Sequence, residues 1–142
     1  EIYGIKVIKK SSYYETLSYP NKKKPKFINI VISVKTNLSP VDLMSVLIFI
    51  EEKIERKRNK KNDPRTCDID IIDYNKQVLN FQYKNLNLTL PHKKLASRNF
   101  VLFPLKEIFP EWKHPKTEVN VTTLISNLSD EDRKSIYKIK KS

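Results

Sequence analysis

The sequence has one cysteine, one glycine, one methionine and one tryptophan among its 142 residues. With Cys67 alone there can be no intramolecular disulfide, so the fold must stand on packing, as suits a reducing, cytoplasmic setting. The longest apolar run, Val46 to Ile50, falls far short of the about 20 residues that a membrane helix needs, so no helical membrane span and no membrane partner is expected. The chain opens on Glu1 and its sole methionine is Met44. The natural start is therefore expected upstream, which leaves room for a removed targeting peptide.

Arginine is scarce as well. There are five, at positions 56, 58, 65, 98 and 133, against 23 lysines, in a chain of net charge +12. Such a charge normally suggests a polyanionic partner. Lys, Asn and Ile together fill 51 of 142 positions, however, which reads as the output of an AT-rich genome rather than selection for charge. Arginines that persist under that bias are the informative cations, because a guanidinium forms a rigid bidentate fork for phosphate that lysine cannot copy.

What is present fits one domain over residues 1–142, with 39% hydrophobic residues to bury a single core. Alternation predicts a strand from Ile5 to Thr16 and another from Phe27 to Val34. In the second, Ile28, Ile30, Ile32 and Val34 share one face, and Phe27, Asn29, Val31 and Ser33 the other. Tyr19 to Pro25, with two prolines and a lysine run, reads as a loop. Ser39-Pro40-Val41-Asp42 supplies an N-cap, a first-turn proline and an acid, and Leu43, Leu47, Ile50 and Ile54 follow at helical spacing, predicting a helix over 40–56. A mobile loop is expected over 56–62 and a third strand over Cys67 to Tyr74. Then come a turn at Asn75-Lys76, an extended piece over Leu86 to Leu90, short helices over 93–98 and 101–108, and helical tails over 121–128 and 130–139. The order points to an α+β fold, helices on one face of an antiparallel sheet.

The sharpest feature is Pro64-Arg65-Thr66-Cys67-Asp68-Ile69-Asp70-Ile71. On a strand, Asp68 and Asp70 project from the same face about 6 to 7 Å apart. Their mutual repulsion calls for a cation, and Mg²⁺, which takes carboxylate and phosphate oxygens together, is the natural one. A short D-x-D on its own is more often the solvated side of an amphipathic strand. By the same standard Phe27 is a half-buried strand aromatic, His92 a loop histidine, Arg98 a helix cap and Arg56 a solvated helix end. Cys67 reads as a small buried hydrophobe and Trp112 as packing.

The neighbours of this segment change the weighing. Pro64-Arg65-Thr66-Cys67-Asp68-Ile69-Asp70-Ile71 is followed by Leu90-Pro91-His92 and then by Arg98-Asn99-Phe100-Val101-Leu102-Phe103-Pro104-Leu105-Lys106-Glu107-Ile108-Phe109-Pro110. Upstream stand Ser11-Ser12-Tyr13-Tyr14-Glu15-Thr16 and Phe27-Ile28-Asn29. In this order and spacing the motifs resemble those of the 6-hydroxymethyl-7,8-dihydropterin pyrophosphokinase family of folate biosynthesis, over about residues 5 to 112.

The resemblance implies a ferredoxin-like antiparallel sheet packed with helices, and an enzyme, an ATP-dependent diphosphotransferase that moves pyrophosphate from Mg-ATP to a reduced hydroxymethylpterin. It implies that Asp68 and Asp70 hold two Mg²⁺ ions and that Arg58 and Arg65 clamp phosphates. It implies that His92, Arg98, Ile71 and Thr89 meet the nucleotide. Phe27 and Phe100 would sandwich the pterin ring, whose edge Asn29 reads, with Thr16 adding contacts. The family starts with a strand, a G-S-N loop and a helix. Nothing before Glu1 supplies these, so the first strand and helix are expected to be missing and the chain to be a fragment of a longer product. Asn62-Asp63 also stands where the family often has a glycine before Pro-Arg. A monomer without nucleic acid is expected. The competing readings are a basic α+β nucleic-acid-binding module, which two acids on the sheet face oppose, and an inactive fragment of the enzyme.

Overall fold

The computed structural model describes residues 3–17, 27–58 and 67–139, with only the backbone of Lys57 and Arg58. The loops expected over Tyr19 to Pro25 and over 59–62, and the Pro64-Arg65-Thr66 run, lie outside the described residues. The elements are β1 (Ile5–Lys10), β2 (Tyr14–Thr16), β3 (Phe27–Asn29), β4 (Ile32–Thr36), α1 (Pro40–Arg58), β5 (Leu79–Tyr83), β6 (Leu86–Leu90), a 3-10 turn (Leu95–Ser97), α2 (Asn99–Ile108), α3 (Val121–Ser126), α4 (Asp130–Lys134) and β7 (Ile136–Lys138). This is an α+β fold, and among the described residues the strands pair antiparallel.

Each long strand read from the sequence is two strands in space. β1 pairs with β4 and β2 with β3, the break falling at residues 11–13 on one side and 30–31 on the other. Ser11 bridges the break: its N–H donates to the Val31 carbonyl at 2.9 Å and its Oγ accepts from the Val31 N–H at 3.0 Å. A hydroxyl that bonds backbone locally can thus replace a ladder step. The face predicted to be greasy is turned outward, with Ile28, Ile30 and Ile32 all exposed.

Helix α1 begins where its cap predicts, the Asp42 N–H donating to Ser39 Oγ at 3.2 Å, and runs on to Arg58, so Arg56 belongs to the helix and not to a loop. Its pairing with Glu52 at 4.0 Å, both side chains largely exposed, is that of a solvated helix end.

Three further expectations are corrected. Cys67 to Asp73 is not a ladder strand among the described residues. Its backbone groups turn instead to a helix side chain and a loop, the Ile69 N–H donating to Glu51 Oε1 at 2.6 Å and the Ile72 carbonyl accepting from the His92 N–H at 2.9 Å. Alternation of side chains is a property of one strand, whereas a ladder needs a neighbour. The tail expected to be helical over 130–139 stops at Lys134, and Ile136–Lys138 pairs with β2, Thr16 opposite Ile136 and Tyr14 opposite Lys138. Between Leu90 and α2 only Leu95–Ser97 is helical, as a 3-10 turn.

The core lies toward the C-terminal side. Leu95, Val101, Leu102, Leu105, Trp112, Val121, Leu124 and Leu128 form one buried cluster, with Val31, Ile72, Phe100 and Phe103 packed against it. Trp112 packs as read from the sequence. Helix α2 is the spine of this cluster, and its last turn is fastened to the sheet by Glu107. That carboxylate accepts from the Ser12 N–H at 3.1 Å, from Ser12 Oγ at 2.8 Å and from Tyr14 Oη at 2.7 Å. Burial alone would raise the Glu107 pKa. The hydrogen bonds from Tyr14 and Ser12 and the charge of Lys138 outweigh it and hold the carboxyl below its ordinary range. Burial, then the bond to Glu107 and its charge, push the Tyr14 hydroxyl far above its usual value.

Leu102 is fully buried, so Leu102→Ala should cost about 2–5 kcal/mol in urea denaturation. The depressed Glu107 pKa means that its contribution to stability is complete above about pH 4.5 and is lost as pH falls through the lower folded value. An acid-unfolding series should therefore show Glu107→Gln with a shallower loss of stability below pH 4.5 than the unsubstituted chain.

Candidate functional site

The segment from Cys67 to Asp73 runs across the molecule with three fastenings. The Glu51 carboxylate on α1 takes the amide of Ile69, between the two acids. The His92 amide takes the Ile72 carbonyl. Asp73 Oδ2 accepts from Trp112 Nε1 at 2.9 Å and tethers the far end to the core. Tyr74 extends the hold through its hydroxyl, which donates to the Leu38 carbonyl ahead of α1. Along the segment exposure alternates: Cys67 and Ile69 are half-buried, Asp68 and Asp70 exposed. The apolar residues face the protein and the carboxylates face solvent.

Asp70 is met by two basic side chains. Arg98 Nη1 lies 3.8 Å from Asp70 Oδ2, and His92 Nε2 lies 3.9 Å from it. Arg98 holds this place because it is the residue from which α2 starts, and its guanidinium also stands over the Phe100 ring at 5.3 Å from the centroid. His92 Nδ1 accepts the Lys94 N–H at 3.2 Å, which places the ring proton on Nε2, toward Asp70. Burial lowers the His92 pKa, Asp70 pulls it back up, and Arg98, Lys94 and Lys93 lower it again, so the imidazole is neutral at pH 7. Ile71 follows Asp70, and Thr89, half-buried on β6, stands three residues before His92.

A second group forms on the β2–β3 ladder. Thr16 lies opposite Phe27, and Tyr14 opposite Asn29. Directly paired residues share a face, so Thr16, Phe27 and Asn29 lie on one side with Tyr14. Thr16 is buried, Asn29 half-buried, and Phe27 is 59% exposed, a large ring displayed to solvent.

The structure thus gathers Asp70, His92, Arg98 and Phe100 in one place and Thr16, Phe27 and Asn29 in another. Among the described residues no hydrogen bond, ion pair or ring contact joins the two groups. Asp68 is beside the first. Arg58 is the last residue of α1 and its side chain is not described; Arg65 lies outside the described residues. Sequence reasoning passed over Glu51, Asp73, Tyr14 and Glu107. The last two stand inside the quoted motifs, which was the one signal pointing to them; Glu51 and Asp73 carry none.

As a metal centre the site has few donors. Among the described residues no three His, Cys, Asp or Glu side chains are close enough to hold an ion by themselves. An ion bound here must draw the rest of its shell from water and from a ligand's oxygens, which is the habit of Mg²⁺ with phosphate. The donors that are present are hard carboxylate oxygens. At 3.8 and 3.9 Å, Arg98 and His92 are beyond hydrogen-bond contact with Asp70, so neither occupies the oxygens an ion would use.

On an α+β fold the chain thus carries two exposed acids, one of them beside a guanidinium, and an aromatic ring displayed on the β2–β3 ladder. The comparisons make the class specific. A model of the family described as 7,8-dihydro-6-hydroxymethylpterin-pyrophosphokinase (HPPK) matches residues 1–110, and the chain belongs to that family. It is 36% identical over 125 residues to the 2-amino-4-hydroxy-6-hydroxymethyldihydropteridine pyrophosphokinase of Synechocystis, covering 88% of this chain and 62% of that protein. It is 32% identical over 120 residues to the enzyme of the same name from Haemophilus influenzae, covering 84% of this chain and 72% of the relative. It is 34% identical over 135 residues to the folic acid synthesis protein fol1 of Pneumocystis carinii, covering 95% of this chain but 18% of that protein. The chain spans less than two thirds of the length of the Synechocystis and fol1 relatives.

Because Asp70 raises the His92 pKa and Arg98 lowers it, removing either charge should move the titration in opposite directions. In an NMR titration Asp70→Asn should shift the His92 midpoint further down, and Arg98→Gln should shift it up. The same direction from both substitutions would contradict the geometry.

Proposed function

We propose that this chain, acting as a single monomeric cytoplasmic domain, transfers pyrophosphate from ATP to the hydroxymethyl oxygen of 6-hydroxymethyl-7,8-dihydropterin, giving AMP and the pterin diphosphate in folate biosynthesis. The observation that carries this reading is the meeting of Asp70 with Arg98 and His92, next to Asp68, in a chain that belongs to the pyrophosphokinase family. No helix among the described residues is long and apolar enough to cross a membrane.

Asp68 and Asp70 would hold two Mg²⁺ ions. Bound there, they supply neutralisation of the triphosphate charge and orientation of its β-phosphorus for in-line displacement. Arg98, with Arg58 and Arg65, offers guanidinium forks to the phosphate oxygens. His92, neutral, can donate from Nε2 or turn toward nucleotide oxygens, and Ile71 and Thr89 line the adenine and ribose side. Phe27 and Phe100 give the pterin two flat faces to stack on, Asn29 offers an amide to its donor–acceptor edge, and Thr16 a further hydroxyl. In the reaction the hydroxymethyl oxygen bonds to the β-phosphorus, the bond from that phosphorus to the oxygen bridging the α-phosphate breaks, AMP leaves with that oxygen, and the hydroxyl proton passes to solvent. The chain's own residues contribute position and electrostatics; none forms a covalent intermediate.

The test is AMP release from Mg-ATP in the presence of the reduced pterin. Asp68→Ala and Asp70→Ala should each lower the rate by about 10²–10³-fold, and chelation of Mg²⁺ should abolish it. AMP release insensitive to both substitutions would refute the assignment. Tight binding of single-stranded RNA without metal, falling steeply with salt, would favour a nucleic-acid module instead.

A further inference from the structure

One well-made cluster takes no part in that chemistry. Glu107 lies in the last turns of α2 and touches none of the residues assigned to substrate, yet its carboxylate accepts from three donors on the strand side and lies 4.0 Å from Lys138 Nζ on β7. The bonded residues are 93 and 95 positions away in sequence. Hydrogen bonds to an ionised acceptor are about twice as strong as neutral ones, so this is a firm polar link between α2 and the β2 strand region.

Its position matters because of what shares its two faces. Glu107 and Phe100 are seven residues apart on α2, close to two full turns of 3.6 residues and about 10 Å along the axis, so they project from the same side of the helix. On the sheet, Tyr14 shares its face with Thr16, Phe27 and Asn29, because Tyr14 pairs with Asn29 and Thr16 with Phe27. The Tyr14–Glu107 bond at 2.7 Å therefore joins the helix face that carries Phe100 to the ladder face that carries Phe27 and Asn29. The other end of α2 is fixed as well. Asn99 Nδ2 donates to the Asp132 carbonyl at 2.7 Å and to Ser135 Oγ at 3.2 Å, and the Ser135 carbonyl accepts from the Leu17 N–H at the end of β2.

We infer that Glu107 is a positioning residue for the pterin subsite: through Tyr14 and Ser12 it sets the gap between the Phe100 wall and the Phe27–Asn29 wall. The inference rests on the pterin reading of those residues proposed above. A flat ring held between two aromatic faces tolerates little change in their separation, since stacking fades as the faces part. Loosening the link therefore weakens pterin binding selectively. The acidic segment, which binds the nucleotide's metal, is fastened independently by Glu51, His92 and Asp73.

The experiment measures two dissociation constants by calorimetry on the 142-residue chain, one for the α,β-methylene analogue of Mg-ATP and one for 6-hydroxymethyl-7,8-dihydropterin with that analogue present. Glu107→Ala should weaken pterin binding by about tenfold or more, the equivalent of one lost hydrogen bond to a charged group, with nucleotide binding changed by less than about twofold. Glu107→Gln, which keeps an acceptor for Tyr14, should recover part of the loss. If Glu107→Ala does not fold, Tyr14→Phe, which removes one hydroxyl, should still give a selective pterin loss of about threefold or more. Unchanged pterin affinity in a folded variant, or equal losses for pterin and nucleotide, would overturn the inference. An unsubstituted chain that binds the nucleotide analogue but not the pterin would overturn the pterin reading itself, and with it this inference, whatever the variants do.

Discussion

Two carboxylates on the outward side of one short segment repel each other, and the arrangement of this chain follows from how that segment is held. A strand in the middle of a sheet would be fixed by its ladder. Here, among the described residues, Cys67 to Asp73 has instead one amide bonded to a helix carboxylate, one carbonyl bonded to the His92 amide, and one side chain bonded to the buried Trp112. Each fastening comes from a different element, so the position of the acids depends on α1, on the turn after β6 and on the C-terminal core together. The core itself extends to Leu128, past the residues that the family model matches. The later helices bury Trp112, and Trp112 anchors the acids.

Arg98 plays the linking part on the other side. It starts α2, faces Asp70, and lies over Phe100, so one guanidinium touches both the acidic group and the aromatic wall. A lysine could supply the charge but not a planar group suited to lie over a ring and face a carboxylate at once. The lowered pKa of His92 belongs to the same local balance: burial, joined by the charges of Arg98, Lys94 and Lys93, outweighs the pull of Asp70.

What could be read from the sequence was whatever depends on local pattern. Helix α1 was legible because Ser39, Pro40 and Asp42 announce its start and Leu43 to Ile54 its inner stripe. The α+β class and the site motifs were legible because residue type, order and spacing are local facts. Strand continuity was not. Phe27 to Val34 alternates without interruption, and nothing in it reveals that a serine twenty residues earlier will take the backbone bonds of Val31 and split it. The same holds for Cys67 to Asp73, whose alternation is real and whose ladder is not among the described residues, and for Ile136–Lys138, which continues a charged helical pattern and is made a strand by pairing with β2. In each case the deciding partner is distant in sequence, so the local pattern was necessary and insufficient.

The arginines show how far a compositional argument carries. Where lysine is so abundant, a persisting arginine points to a place where geometry requires one. Of the three whose side chains are described, Arg98 fits that rule. Arg56 makes a loose i to i+4 pair on an exposed helix end, and Arg133 bonds Asp130 and the Ser126 carbonyl within the helical tail. Arg133 does need a fork, since it serves a carboxylate and a carbonyl at once, yet the need is structural. Scarcity by itself therefore does not single out a phosphate ligand, since it marks an exposed helix end and a brace of the helical tail as readily as the residue beside the acid pair. What separates Arg98 from Arg133 is the company of an exposed acid pair and an aromatic ring, which only the folded arrangement supplies.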